Sequence, residues 1–131
     1  MQLNQSGEVI RILLVIDDQI FASFVACLLG DLGFDVAGIV STDSETAAMA
    51  QDQQLDLALV DIRRGRPMAG IEIAKMLDQG FGVPSVFLTE SADDEFKTEA
   101  KNPLVGAFPA GPLRPSQALK AVEEALRLRP N

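Results

Sequence analysis

Five short apolar runs, separated by stretches with helical spacing, constrain this chain most. They fall near residues 9–16, 36–40, 57–61, 83–89 and 105–110. That alternation is the order expected of stacked βα units around a parallel sheet. A strand covered on both faces reads as an unbroken apolar run, and Ile12-Leu13-Leu14-Val15-Ile16 and Leu57-Ala58-Leu59-Val60 are of that kind. Five units within 131 residues predict one α/β domain over residues 8–129, a three-layer α/β/α sandwich with a five-stranded parallel sheet. Residues 1–7 read as a flexible lead-in.

The intervening stretches carry their own punctuation. Ile20, Phe21, Phe24, Val25, Leu28 and Leu29 recur at helical spacing, and the glycines at 30 and 33 close that helix. Ser41-Thr42-Asp43-Ser44 offers N-cap candidates for a helix through residues 47–50. Further helices are predicted over residues 70–79, over 93–101 (more polar) and over 115–129. Pro115 suits the first turn of the last helix, whose buried stripe would be Ala118, Leu119, Val122, Ala125 and Leu126. Pro84 stands at the entry of the fourth strand, where a missing N–H does little harm. Pro109 inside the fifth strand predicts an irregular edge.

Composition removes several classes of function. No uninterrupted apolar stretch approaches the roughly 20 residues of a membrane helix, and residues 1–7 have no signal-peptide pattern. A cytoplasmic protein without membrane attachment is therefore expected. The single cysteine, Cys27, excludes an internal disulfide and falls in an apolar helical pattern, so it is expected to pack in the core. With no histidine, the chain cannot supply a His-based triad or metal site, nor be the phosphohistidine member of a relay. A net charge of −8 argues against nucleic-acid binding, which rests on neutralising phosphates with Lys and Arg.

The chemistry is read from three carboxylates. Asp17 and Asp18 follow the first run and Asp61 ends the third, so all three fall at the carboxyl edge of the sheet, where open α/β sheets place their sites. Gathered there, they would repel one another unless a cation joined them. A small hard ion with oxygen ligands, Mg²⁺, is the natural partner.

These residues resemble the receiver domains of two-component response regulators over residues 9–128. Val15-Ile16-Asp17-Asp18 resembles the family's acidic pair, Ala58-Leu59-Val60-Asp61 its phosphoacceptor segment, and Gly70-Ile71-Glu72-Ile73-Ala74 the start of its third helix. Val83-Pro84-Ser85-Val86-Phe87-Leu88-Thr89 resembles its fourth strand. The resemblance implies the flavodoxin-like, doubly wound sheet order 2-1-3-4-5. It implies that Asp61 accepts a phosphoryl group from a histidine kinase or histidine phosphotransferase. Mg²⁺ would be held by Asp17, Asp18, Asp61 and the backbone carbonyl of Arg63. Thr89 would be the switch hydroxyl and Phe108 the switch aromatic. The partner would dock on the first helix over Ile20, Phe21 and Phe24, and a homodimer would use the fourth helix, fifth strand and fifth helix. The chain reads as a stand-alone receiver that signals to a downstream target protein and turns over no external substrate.

The resemblance fails at one position. The family's lysine before the proline that ends the fifth-strand segment is replaced here by Gly111, ahead of Pro112. A point charge beside a phosphoryl oxygen is worth about 4 kcal/mol at an effective dielectric near 20. An arginine of Arg63-Arg64-Gly65-Arg66, or Arg114, is a candidate replacement, against the plainer reading of solvated arginines. The competing functions are a degenerate receiver that binds proteins without phosphorylation, a flavodoxin-like cofactor binder and a haloacid-type phosphatase. Asp17-Asp18-Gln19 is unlike the Ser/Thr/Gly-rich cradle a flavin phosphate needs. The chain is also short for a capped phosphatase.

Overall fold

The computed structural model describes residues 2–4, 6–62, 67–89, 105–109, 119–120, 122–123 and 126; at 67–68, 89 and 105–109 it describes the backbone alone. In chain order the elements are β1 (Arg11–Val15), α1 (Gln19–Asp31), β2 (Asp35–Val40), α2 (Asp43–Asp52), β3 (Leu57–Asp61), α3 (Pro67–Phe81), β4 (Ser85–Thr89) and β5 (Val105–Pro109). All neighbouring strands pair in parallel, in the order β2-β1-β3-β4-β5. The expected doubly wound order is therefore present. The expected helix over 93–101 lies outside the described residues.

Strand alternation divides the core in two. Ile12, Leu14, Ile16, Leu57, Leu59, Val86 and Leu88 face α1, where Ala22, Val25 and Leu29 meet them. Val122 is buried in the same cluster and Leu119 and Leu126 pack on it, so these three members of the last predicted stripe do pack inward. Leu13, Val15, Ala58, Val60, Ile62 and Phe87 face the other way, towards Ile71, Ile73, Ala74 and Leu77 of α3. Each large side chain so buried stabilises the fold by roughly 1.5–3 kcal/mol. This two-sided burial is why the strands read as unbroken apolar runs.

Local signals set the helix ends. The Asp18 side chain caps α1, and the Thr42 hydroxyl caps α2 by accepting from Glu45 N–H at 3.2 Å. Glu45 Oε1 in turn accepts from the N–H groups of Ser41 and Thr42, both at 3.2 Å, completing a capping box. Those bonds, that from Ser41 first, hold the Glu45 carboxyl below the usual carboxylate value. At the end of α1, Gly33 has φ +94°, a conformation that favours glycine. Gly33 N–H donates to Gly30 C=O at 3.1 Å and Phe34 N–H to Leu29 C=O at 3.0 Å, the Schellman pattern, with Phe34 and Leu29 in the same core cluster.

Two sequence expectations are corrected. Cys27 is exposed, because it follows Ile20 by seven residues and Phe24 by three on the outer face of α1. The β5 edge is regular: β4 and β5 pair without a shift from Ser85↔Val105 to Thr89↔Pro109. Pro109 is the last residue of an edge strand, where a missing donor is tolerated. The irregular pairing is at the opposite edge, where the β1–β2 register shifts between Ile12 and Leu13.

Candidate functional site at the carboxyl edge

Strand register brings the predicted residues to one edge of the sheet. Val15 is level with Val60, so the residues that follow them, Ile16 and Asp61, reach the carboxyl edge of the sheet together. Asp61 is the last residue of β3, half-buried, and level with Leu88 of β4. Leu88 is level with Phe108, and Thr89 with Pro109. Asp61, Thr89 and Phe108 thus lie within one residue of the same level on three adjacent strands. By alternation with Leu57 and Leu59, Asp61 falls on the α1 side of the sheet. The side chains of Thr89 and Phe108, and all of Arg63, Arg64, Arg66, Gly111 and Arg114, lie outside the described residues.

The acidic pair divides its duties. Asp17 is exposed. Asp18 is half-buried, and its Oδ1 accepts from Phe21 N–H at 3.1 Å. That bond satisfies one of the four amides a helix start leaves unpaired, and a carboxylate there is also favoured by the helix dipole. The expected trio of Asp17, Asp18 and Asp61 is not assembled into a metal centre: among the described residues, no group of three or more acidic, cysteine or histidine side chains is placed to hold an ion. Of the expected ligand set, Asp17, Asp18 and Asp61 are described, and the backbone carbonyl of Arg63 lies outside the described residues. The Asp18 cap engages Oδ1 with the backbone of α1.

Beneath the site, Gly70 lets α3 approach the end of β3. A Cβ there would run into Ile62 Cγ2 and lie 3.2 Å from Val60 Cγ1. The sequence places Gly70 at the start of a helix over residues 70–79, where a glycine beside a strand end also signals close approach.

Beside the site, the structure apportions the apolar residues of α1. Ala22, Val25 and Leu29 are buried, and Phe21 and Leu28 pack partly on the core. Ile20 is 86% exposed and Phe24 47%. With Cys27 they form one outward stripe at positions i, i+4 and i+7, starting next to Asp18. Core filling therefore claims four of the six predicted residues, Phe21, Val25, Leu28 and Leu29, and leaves Ile20 and Phe24 exposed.

Comparison with known proteins accords with this arrangement. The family model of the response regulator receiver domain matches residues 12–123. The DNA-binding response regulator MtrA of Mycolicibacterium smegmatis is 28% identical over 117 residues, which span 89% of this chain and 50% of that protein. The chain thus spans about half the length of that relative. The signal receiver domain of a modulated diguanylate cyclase from Desulfovibrio desulfuricans superposes with a TM-score of 0.78 at 30% identity, covering 93% of this chain and 97% of that one. A CheY-like receiver domain protein from Methanospirillum hungatei gives 0.73 at 25% identity, with the same coverage. Fold, register and family match converge: the chain belongs to the response regulator receiver domain family.

Proposed function

We propose that Asp61 is a phosphoacceptor and that the chain signals by protein contacts that depend on its phosphorylation. The observation that carries this reading is the position of Asp61, the last residue of β3, half-buried at the carboxyl edge of a receiver-type sheet. A carboxylate oxygen there attacks the phosphorus of a phosphohistidine on a kinase or phosphotransferase. The N–P bond breaks, and the imidazole leaves with the electron pair and is reprotonated. Thr89, one residue beyond the level of Asp61, is proposed to bond the new phosphoryl oxygens, with Phe108 following its loop. Mg²⁺ is the family's general ion. Asp17, Asp18 and Asp61 would hold it at this edge, where it would offset negative charge, and no step here is assigned to it.

Ile20 and Phe24 are proposed to receive the phosphodonor protein, in the cytoplasm. An exposed apolar stripe beside the acceptor suits a helical partner that must bring a histidine within reach of Asp61. Ile20→Ser is expected to leave the unfolding free energy within about 0.5 kcal/mol of wild type, since the residue is exposed, and to slow transfer from a cognate phosphodonor protein several-fold. Unchanged transfer would remove α1 as the docking face.

Gly111 favours one second reading, a receiver that binds its target without phosphorylation. Incubation with a small-molecule phosphodonor, followed by intact-mass measurement, separates the two. The first predicts a gain of one phosphoryl group in wild type and none in Asp61→Asn. The second predicts a folded, unlabelled wild type.

A further inference from the structure

The described part of residues 2–10 folds back as a hairpin across the amino edge of the sheet, far from Asp61. Leu3 pairs antiparallel with Val9. Asn4 N–H donates to Glu8 C=O at 2.7 Å, Gly7 N–H to Asn4 C=O at 3.0 Å and Ile10 N–H to Gln2 C=O at 2.8 Å. Asn4 organises the turn: its Oδ1 accepts from Ser6 N–H at 2.9 Å and Glu8 N–H at 3.1 Å. Its Nδ2 donates to the Asp56 carboxylate, 3.3 Å from each oxygen.

Asp56 belongs to the sheet's edge. Its Oδ2 accepts from Arg11 N–H at 2.9 Å, and its own N–H donates to Arg11 C=O at 2.9 Å. At the hairpin's other end, Gln2 N–H donates to Gly33 C=O at 3.0 Å and Gln2 Nε2 to Leu32 C=O at 3.3 Å. These carbonyls belong to the turn that ends α1, where a helix leaves acceptors without intrahelical partners.

We propose that residues 2–4 and 6–10 form a latch, locked by the Asn4–Asp56 contact, that fastens the C-terminal end of α1 to the amino edge of the sheet. α1 is then held at both ends, by the Asp18 cap at one and by Gln2 at the other. A lead-in without this function would have no reason to spend both side-chain groups of an asparagine, one on its own turn and one on a carboxylate 52 residues away.

Asn4→Asp tests the lock. It keeps the acceptor that organises the turn and replaces the donor with a second carboxylate facing Asp56. NMR-detected hydrogen exchange of the Ile10 and Gln2 amides is expected to rise about tenfold, as one lost charge-assisted bond would give. Adding Asp56→Asn reverses donor and acceptor, and is expected to return exchange to within about twofold of wild type. Asn4→Ser, which removes the amide but retains a hydroxyl acceptor, should shift exchange in the same direction if the aspartate variant fails to fold. Unchanged exchange in a folded single variant, or no recovery in the double variant, would overturn the latch.

Discussion

The two edges of the sheet spend their polar groups differently. At the amino edge, Asp56 is engaged by Arg11 and Asn4, and Arg11 itself reaches Asp35 at 3.1 Å and Gln53. These contacts join the hairpin of residues 2–10, β1, β2 and the turn before β3. At the carboxyl edge, Asp17 is exposed, and Asp61 sits half-buried at a strand end. Asp18 there caps α1. One edge carries a hydrogen-bond network that holds the fold, and the other carries the proposed phosphoacceptor. A carboxylate's value to stability therefore depends on which edge it occupies.

The sharpest way to break this contrast is at Asp56. Asp56→Ala leaves Arg11 N–H and the Asn4 amide without their acceptor and is expected to cost about 2 kcal/mol, read by denaturant unfolding. Phosphodonor labelling of Asp61 should survive it. A loss of labelling with normal stability would show that the edges are not separate. Gly70→Ala bears on the carboxyl edge. The new methyl meets Ile62 and Val60, so a cost of about 1–2 kcal/mol is expected even after the helix gains alanine's propensity. A neutral result would mean that α3 is free to shift away from β3.

Ser85 is the amino-edge exception and has the smallest expected effect. It is buried, and its hydroxyl has no hydrogen-bond partner among the described residues. Ser85→Ala removes an unsatisfied group and is expected to be neutral or to stabilise by up to about 1 kcal/mol. Clear destabilisation in thermal melts would show that the hydroxyl has a partner after all.

Legibility followed the same division. β3 was readable to the residue because Leu57-Ala58-Leu59-Val60 is apolar on both faces and Asp61 ends it. The fourth run was read as starting at Val83, two residues before β4. Val83 is buried but donates its N–H to Leu77 C=O, so apolarity there marks core and not ladder. α3 was read from Gly70 and begins at Pro67, because a loop of arginines hides the onset that a proline at the first position announces. The positions of Asp17, Asp18 and Asp61 along the edge were legible; the direction of the Asp18 side chain was not, since a cap and a metal ligand demand the same residue type. The Thr42-x-x-Glu45 spacing did signal a capping box and was overlooked. The hairpin of residues 2–10 gave no periodicity, because turn hydrogen bonds, rather than an apolar face, build it.

The central claim is that Asp61 at the carboxyl edge takes up phosphate. Intact-mass measurement of the wild type and Asp61→Asn, each treated with a small phosphodonor and shown to be folded, tests it most directly. One added phosphoryl group on the wild type and none on the variant is the predicted result. A folded wild type that stays unlabelled, or equal labelling of both proteins, would contradict it.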